Sequence, residues 1–333
     1  MITLGPVSSV FPDTAVAVAE LAEMAELSAG KRAHALALGI DTVRCAAADG
    51  DHDLAAAAAA RALERAGLSP DRLDALLLVG GRAPRYLMAS EATRLQHRLG
   101  ADRAFVAGVG ELGCASISAA FTLAAGLLRG DPHCGNVLIV AAATAPTRFR
   151  YRAPMTLLGD GAGAVLLTTG KTGRYQLVDH LVRSDGKYSD LFRIDYRNLP
   201  QRDWREECAD EATYSFRLAV ESRKRLAAMN EELLRRNGLR LPDLGPVLMQ
   251  NLSAGAFSFW EEALETRVDQ ACRRNLAAYG HLGSLDVLVN LEAAAPHRAP
   301  GDYTLLLNSS PVAAWSSTLL RRLPDREYEG IEL

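Results

Sequence analysis

Short, almost wholly apolar segments alternate with helix-forming segments along this chain, and this alternation leaves few folds open to it. Four segments predict buried strands: DALLLVGG at 74–81, VLIVAAA at 137–143, GAVLLT at 163–168 and YTLLL at 303–307. Strands that are apolar on both faces are typical of sheets covered by helices on both sides. The alternation therefore predicts an α/β fold built in layers.

Strong helix formers and stop signals mark the segments between these strands. Helices are predicted at 53–66, 90–99, 114–129, 215–236, 255–274 and 282–291, and further strands at 104–109, 247–251 and 315–319. The 114–129 segment has almost no polar face, which predicts a helix buried on all sides. Segment 187–210 lacks periodicity and is interpreted as a lid or tunnel wall or, alternatively, as a surface excursion.

The order of helices and strands in the first half of the chain recurs in the second half. This recurrence predicts a structural duplication, although no literal sequence repeat accompanies it. We expect an N-terminal half at 1–170, which carries a candidate nucleophile, and a C-terminal half at 171–333. A length of 333 residues agrees with about two core-forming units.

Composition excludes several functional classes. A net charge of −3 argues against a general nucleic-acid binder, which normally carries a basic stripe. No stretch reaches the ~18 charge-free apolar residues of a membrane span, and no basic-then-apolar leader opens the sequence. The five cysteines are widely spaced without a CxxC pair, which favours reduced thiols and gives no zinc motif. We therefore expect a cytoplasmic enzyme that contacts neither nucleic acid nor membrane and holds no metal.

Cys114 has the most informative surroundings of the five thiols. It lies in GELGCASIS at 110–118, a turn that opens the 114–129 helix. The dipole and unpaired N–H groups at a helix N-terminus lower the pKa of a thiol from about 8.5 towards neutrality. Such a thiol is a good nucleophile for acyl transfer. The alternative is that Cys114 is a small, packed apolar side chain.

Four motifs occur in the order and spacing of the thiolase superfamily: Cys114 with its helix, LGDGAGA at 158–164, VLMQNLSAG at 247–255 and YGHLG at 279–283. The chain most resembles the ketoacyl-acyl-carrier-protein synthase III branch, over nearly its whole length. The resemblance implies a duplicated five-layered αβαβα fold, a homodimer and Cys114 as the acyl-accepting nucleophile. Because the glycine run precedes an apolar strand, it is predicted as a close-packed turn and not as a phosphate loop.

The second half departs from the family pattern of Cys, His and Asn. In condensing members the His and Asn donate hydrogen bonds to the thioester oxygen and so stabilise the enolate left by decarboxylation. Here Gln250 and Asn251 lie in the segment that corresponds to the family's His stretch, and His281 replaces the Asn. The resemblance implies a histidine in the site, with His281 as general base for an incoming hydroxyl, amine or thiol and Gln250 or Asn251 as a supporting donor. The alternative is that His281 only caps its own helix. Asp286 follows His281 by five residues, a spacing that on one helix places the two on different faces.

The oxyanion hole also departs from the pattern. Pro311 stands where a glycine N–H usually completes it, and proline has no N–H. The resemblance therefore implies the backbone of Cys114 as one donor and that of Ser310, or alternatively Val312, as the other.

Two further positions bear on the acyl donor. Ala33 and Ala37 stand where coenzyme-A-loading members hold the adenine between a tryptophan and an arginine, which implies an acyl carrier protein as donor. Arg148, Arg150 and Arg152 alternate with aromatic residues, so an extended segment would place all three on one face. They are candidates to contact a phosphopantetheine phosphate or a carrier protein; the alternative is a solvated charged edge.

These features favour a natural-product acyltransferase of the ketoacyl synthase III type. It would move an acyl group from a carrier-protein thioester through Cys114 to a hydroxyl, an amine or the thiol of a second carrier protein. The phosphopantetheine thioester is substrate, and no cofactor is expected. One alternative is a decarboxylating condensing enzyme, and another is a non-catalytic ketosynthase-like partner subunit.

Overall fold

The computed structural model describes residues 1–46, 51–80, 86, 88–170 and 173–324. Its strands are β1 (Ile2–Leu4), β2 (Ser8–Val10), β3 (Ala15–Ala17), β4 (Thr42–Arg44), β5 (Ala75–Val79), β6 (Phe105–Val109), β7 (Asn136–Ala143), β8 (Tyr151–Arg152), β9 (Thr156–Leu157), β10 (Gly161–Thr169), β11 (Tyr175–Ser184), β12 (Phe192–Arg193), β13 (Glu207–Cys208), β14 (Leu248–Met249), β15 (Tyr303–Ser310) and β16 (Ala314–Arg322). Its α-helices are α1 (Ala29–Leu36), α2 (Asp51–Arg65), α3 (Glu91–Leu99), α4 (Ser116–Gly130), α5 (Ala219–Arg236), α6 (Ala254–Ala263), α7 (Gln270–Tyr279) and α8 (Asp286–Ala294).

A mixed sheet of ten strands runs through the described part of the chain in the order β14-β15-β16-β11-β1-β10-β7-β5-β6, with β2 paired to β10. Strand β5 is parallel to β6 and β7, and β14 is parallel to β15. Strand β10 is antiparallel to β7, as β16 is to β15. The order is therefore mirrored about the β1–β11 pair: β10, β7 and β5 on one side correspond to β16, β15 and β14 on the other.

Helices cover and separate the two halves of this sheet. Helix α4 contacts β5, β7 and β10 and also β11, while α8 contacts β14 and β15 and also β10. Because each helix touches strands of both halves, α4 and α8 form a central helical layer. Helices α2 and α3 cover the N-terminal strands and α5 covers β11 and β16. One continuous sheet joins the halves, and the division into domains at 170/171 stays a prediction.

The predicted elements have counterparts in the structure, with three corrections to their form. The predicted helix at 255–274 is two helices, α6 and α7, and the strand at 247–251 shortens to β14. Helix α8 begins at Asp286, because a 3₁₀ turn, Gly283–Leu285, precedes it. Strand β11, which lies at the centre of the sheet, was not predicted.

Helix α4 is not buried on all sides as its sequence suggested. Leu123 is 49% exposed, and Thr122 and Gly126 also face outwards. Segment Gly113–Gly130 is long and apolar enough to span a membrane by length and composition. However, its buried face packs against the sheet from both halves, as in the core helix of a globular protein.

Candidate active site

Cys114 lies in a 3₁₀ turn, Gly113–Ala115, that leads directly into α4. Gly113 adopts a positive φ of 54°, which glycine tolerates without strain. Ser284 Oγ donates a hydrogen bond of 2.8 Å to the Gly113 carbonyl and so ties the turn to the opposite half of the molecule. The Cys114 side chain is buried at the start of the helix, where the sequence predicted it.

His281 is positioned by backbone pairing with the glycine motif. Its N–H donates to the Leu157 carbonyl at 2.8 Å, and its carbonyl accepts from the Gly159 N–H at 3.1 Å. A Cβ on Gly159 would collide with the Tyr279 carbonyl oxygen, and one on Gly163 would lie 2.5 Å from Leu285 Cδ1. The glycines of LGDGAGA therefore let the segment that carries His281 approach closely, as predicted. The predicted turn is corrected, because Gly161 and Gly163 lie in strand β10.

Replacing Gly159 with alanine is expected to displace the His281 segment and to lower the free energy of unfolding by about 1–3 kcal/mol, the usual cost of overpacking. Gly126→Ala is the matched control, because no atom lies within 4 Å of a Cβ placed at this exposed site within α4. There alanine is expected to stabilise the helix by about 0.5–1 kcal/mol. Thermal or urea unfolding measures both variants. Equal stability of Gly159→Ala and the unmodified protein would contradict the close-packed role.

Cys114, His281 and Asp286 form a buried chain of hydrogen bonds. Cys114 Sγ lies 3.2 Å from His281 Nε2, and His281 Nδ1 lies 2.6 Å from Asp286 Oδ2. Asp286 also accepts from the backbone N–H groups of Leu282 and Asn251, each at 2.8 Å. The Asp286 carboxylate therefore fixes the imidazole with Nδ1 protonated and Nε2 directed at the thiol. The sequence did not predict this contact between Nδ1 and the carboxylate, since the spacing argument assumed that both residues lie on one helix. In the structure His281 precedes the helix, which begins at Asp286.

The charges in this chain favour a thiolate–imidazolium pair. Burial alone raises the pKa of Cys114, but the positive charge of His281 in contact with it lowers the pKa below its ordinary value. For His281, burial lowers the pKa, while the negative charges of Cys114 and Asp286 raise it to about 9. The thiol is thus activated by a histidine in direct contact, in addition to its place at the start of a helix.

A cavity of about 500 Å³ opens from this triad. Cys114 and His281 lie in its wall, and Phe192, Ile194 and Tyr196 close another side. These three aromatic and apolar residues belong to the 187–210 segment. The structure therefore places that segment at the cavity, as the lid or tunnel-wall interpretation expected.

Gln250 and Asn251 do not line the cavity that contains Cys114, and Gln250 borders a separate cavity instead. The Gln250 amide donates to the Ser309 carbonyl at 2.9 Å and accepts from the Ser309 N–H at 3.1 Å. The Asn251 side chain exchanges hydrogen bonds with Asn290, at 2.8 and 3.3 Å. Only the Asn251 backbone N–H reaches the triad, through Asp286. Both supporting roles at Cys114 are corrected, because these amides bind Ser309 and Asn290 and do not face the thiol.

The predicted second oxyanion donor is also displaced. Ser310 and Pro311 line a different cavity, whereas Val312 reaches the one that contains Cys114. The Val312 N–H donates a hydrogen bond of 3.3 Å to Ser310 Oγ. Of the two candidates in this turn, Val312 is the one that lines the same cavity as Cys114.

The three arginines do not form one basic face, because each pairs with its own carboxylate. Arg150 binds Asp160 at 2.8 Å in a buried pair, and Arg148 lies 3.2 Å from Glu26. Arg152 lies 2.8 Å from Glu206, and both side chains are almost fully buried. Arg152 borders the Cys114 cavity, and its charge contributes to lowering the pKa of Cys114. The other two serve the fold around the LGDGAGA motif and the surface.

The chain is similar to known proteins in sequence and in fold. Residues 111–186 match the family model of 3-oxoacyl-[acyl-carrier-protein (ACP)] synthase III. Over 290 residues the chain is 30% identical to a β-ketoacyl-[acyl-carrier-protein] synthase III of Oleidesulfovibrio alaskensis, covering 83% of this chain and 86% of the relative.

Solved structures share the fold over nearly the whole chain. The acyltransferase ChlB3 matches with a TM-score of 0.82 at 24% identity, over 97% of this chain and 98% of that one. The synthase III FabH of Pseudomonas aeruginosa PAO1 matches with a TM-score of 0.79 at 20% identity, over 98% and 99% of the two chains. The duplicated thiolase-type fold expected from the sequence is confirmed, and the chain belongs to the β-ketoacyl-[acyl-carrier-protein] synthase III family.

Proposed function

We propose that this protein is an acyltransferase that works through a Cys114 thioester. The observation that carries the proposal is the buried chain of Cys114 Sγ, His281 and Asp286, with contacts of 3.2 and 2.6 Å. A nucleophile, a base within hydrogen-bond reach and a group that orients the base are the parts that covalent acyl transfer needs. A non-catalytic partner subunit has no use for such a set.

The first half-reaction loads the enzyme. The Cys114 thiolate attacks the carbonyl carbon of a carrier-bound thioester, and the C–S bond to the phosphopantetheine breaks. His281 gives its Nε2 proton to the departing thiolate, which leaves a neutral imidazole beside acylated Cys114. Loss of the Cys114 charge removes the first of the influences that raise the pKa of His281, and this favours the neutral form.

The second half-reaction delivers the acyl group. Neutral His281 accepts a proton at Nε2 from a hydroxyl, amine or thiol as that group attacks the acyl carbon. The bond to Cys114 then breaks, and the thiolate–imidazolium pair is restored. Asp286 remains ionised throughout and stabilises the imidazolium.

Transfer is favoured over decarboxylative condensation by the amides around the site. Condensation needs donors aimed at the thioester oxygen to hold an enolate, as the family resemblance implies. Gln250 and Asn251 are instead bound to Ser309 and Asn290. The His281 imidazole at the thiol can shuttle a proton to and from a heteroatom nucleophile, which suits transfer. Natural-product biosynthesis is the setting in which we place this reaction.

A carrier protein is the donor that the surface supports best. Ala33 and Ala37 are exposed on and just after α1 and offer no aromatic or cationic group to an adenine. A second cavity of about 380 Å³ lies beside the start of α5. Exposed side chains near its mouth and along the following helix turns combine apolar and basic character: Phe216, Arg217, Val220, Arg223, Lys224 and Phe259. Such a patch suits an acidic carrier protein whose arm enters the cavity.

The test offers the purified protein one acyl group on a carrier protein or on coenzyme A, with pantetheine added later as a generic thiol acceptor. Mass spectrometry follows the acyl-enzyme and acyl-pantetheine, and a carboxyl-labelled malonyl donor reports carbon dioxide. We expect faster loading from the carrier protein, transfer to pantetheine and no carbon dioxide above background.

Three results would contradict parts of this proposal. Carbon dioxide released in proportion to product means that the protein condenses. Equal loading from both donors removes the carrier-protein preference. No acyl-enzyme with any donor would leave the non-catalytic alternative.

A homodimer and a cytoplasmic location are part of the same proposal. Strand β6 ends the described sheet, and Phe105 at its start is 58% exposed. An open, partly apolar edge strand is a ready surface for a second copy of the chain.

A further inference from the structure

Two cavities lie on either side of the β15–β16 turn and share no lining residue. The first, of about 500 Å³, contains Cys114, and the second, of about 380 Å³, lies beside the start of α5. An arm that enters through the second cavity must therefore cross a wall before its thioester meets the thiol.

Two turns and one contact between aromatic rings make up that wall. At the β15–β16 turn, Pro311 faces the second cavity and Val312 the first. At the β8–β9 turn, Pro154 likewise faces the second cavity and Arg152 the first. Between these turns Tyr214, on the second cavity, packs edge-on against Phe192, on the first, with ring centroids 5.1 Å apart and an interplanar angle of 85°.

The two turns are anchored by polar bonds. The Gln250 amide holds Ser309 through two hydrogen bonds of 2.9 and 3.1 Å, which fixes the β15–β16 turn. Arg152 is held by its buried pair with Glu206 at 2.8 Å. The remaining contact, between Tyr214 and Phe192, is a ring contact alone.

Tyr214 is also set apart by its backbone and hydroxyl. It lies in a π-helical segment, Thr213–Leu218, a rare conformation that often marks functional sites. Its hydroxyl makes no hydrogen bond within the described ranges. Burial raises the pKa of the Tyr214 phenol well above its ordinary value, and the charge of Arg152 opposes that rise.

We propose that Tyr214 and Phe192 form an aromatic gate between the two cavities. With the rings in contact the wall is closed; with Tyr214 rotated away, the cavities join and an extended pantetheine arm reaches Cys114. The inference rests on the proposed function for the identity of the arm. Tyr214 is thus a residue that selects for long, narrow thioester arms, while acyl groups are held in the first cavity.

Thiol–disulfide exchange with pantethine, the disulfide of pantetheine, tests the gate without acyl chemistry. The Cys114 thiolate attacks one sulfur of the disulfide, forming a mixed disulfide, while the other pantetheine leaves as a thiolate and takes a proton from solvent. Iodoacetamide, which is small enough to enter through the first cavity, is the reference reagent. Mass spectrometry of the Cys114 peptide gives both rates. Because neither reagent carries an acyl group, the result is separate from the test of acyl transfer.

Tyr214→Trp, which fills the gate, is expected to slow pantethine exchange by about tenfold or more. The rate at which iodoacetamide alkylates Cys114 is expected to stay within about twofold of that of the unmodified protein. This reagent enters through the first cavity, so its route does not cross the wall that tryptophan overpacks. Tyr214→Ala and Phe192→Leu open the wall from opposite sides and are expected to speed exchange. Tyr214→Phe keeps the ring and is expected to leave it unchanged.

Tyr196→Ala is the matched control, because it removes a ring from the outer side of the first cavity and not from the wall. Pantethine exchange at the unmodified rate in Tyr214→Trp would overturn the gate. An equal acceleration in Tyr196→Ala and Tyr214→Ala would overturn it too, since general loosening would then explain both.

Discussion

Cys114→Ala is expected to abolish acylation of the protein, with no other cysteine taking over. Burial raises the pKa of Cys272 to about 12, and burial likewise raises the pKa values of Cys45, Cys134 and Cys208. Only the pKa of Cys114 lies below the ordinary thiol value. Peptide mapping after exposure to a carrier-bound acyl donor measures this directly. Acyl groups found on another cysteine of the Cys114→Ala variant would refute the assignment.

The pH dependence of loading follows from the same pair of groups. Loading needs the thiolate, so its rate falls as the pH drops through the lowered pKa of Cys114. It also needs the imidazolium as proton donor, so the rate falls again as the pH rises past the His281 pKa of about 9. We expect a bell-shaped profile with an acid limb below the ordinary range of thiols. A single rise centred at the ordinary thiol pKa would contradict the ion pair.

His281→Ala is expected to slow both half-reactions, and acceptor-dependent release of the acyl group by about 10²–10⁴-fold. Release suffers because its general base is gone. Loading suffers because burial, no longer opposed by an imidazolium 3.2 Å away, raises the pKa of Cys114. Rapid-quench measurement of acylation and of release gives the two rates separately. The acid limb of the loading profile is expected to move to higher pH.

Asp286→Asn tests the orienting role apart from the base itself. The amide keeps the volume of the carboxylate but does not stabilise the imidazolium or fix the Nδ1-protonated tautomer. We expect losses in both half-reactions together with a lowered pKa of His281, visible as an alkaline limb that moves below about 9. An unchanged alkaline limb in Asp286→Asn would show that the carboxylate takes no part in the mechanism.

For the His281→Ala variant, release of acyl groups at the unmodified rate would show that another residue is the base.

The strands that sequence predicted best are those buried on both faces. Strands β5, β7 and β15 are continuous apolar runs, so their pattern survives any small error in register. Strand β11 escaped prediction because its alternation is broken: the pairing register shifts between Leu177 and Asp179. Tyr175, Leu177 and Leu181 are buried at alternate positions, but Asp179 interrupts this apolar series at the bulge.

Motif order identified Cys114 and His281, but the partners around them depend on backbone geometry that sequence spacing does not encode. Asp286 was set aside on the assumption of a continuous helix, whereas Gly283, at a φ of 60°, begins a separate turn between it and His281. A glycine at that place was the available signal. Gln250 binds Ser309 and Arg152 pairs with Glu206, and both partners are distant in sequence. No local sequence pattern predicts such contacts.

The thiol and its base come from opposite sides of a duplicated architecture, and the two sides meet in the sheet at the short pairing of β1 with β11. The distance between Cys114 Sγ and His281 Nε2 therefore depends on the relative position of the two halves. Since a misplacement of about 1 Å can cost about 10²-fold in rate, proton transfer responds to shifts too small to unfold the chain. A substitution in the β1–β11 pairing, far from either side chain, would therefore lower the turnover rate while the stability of the fold stayed unchanged.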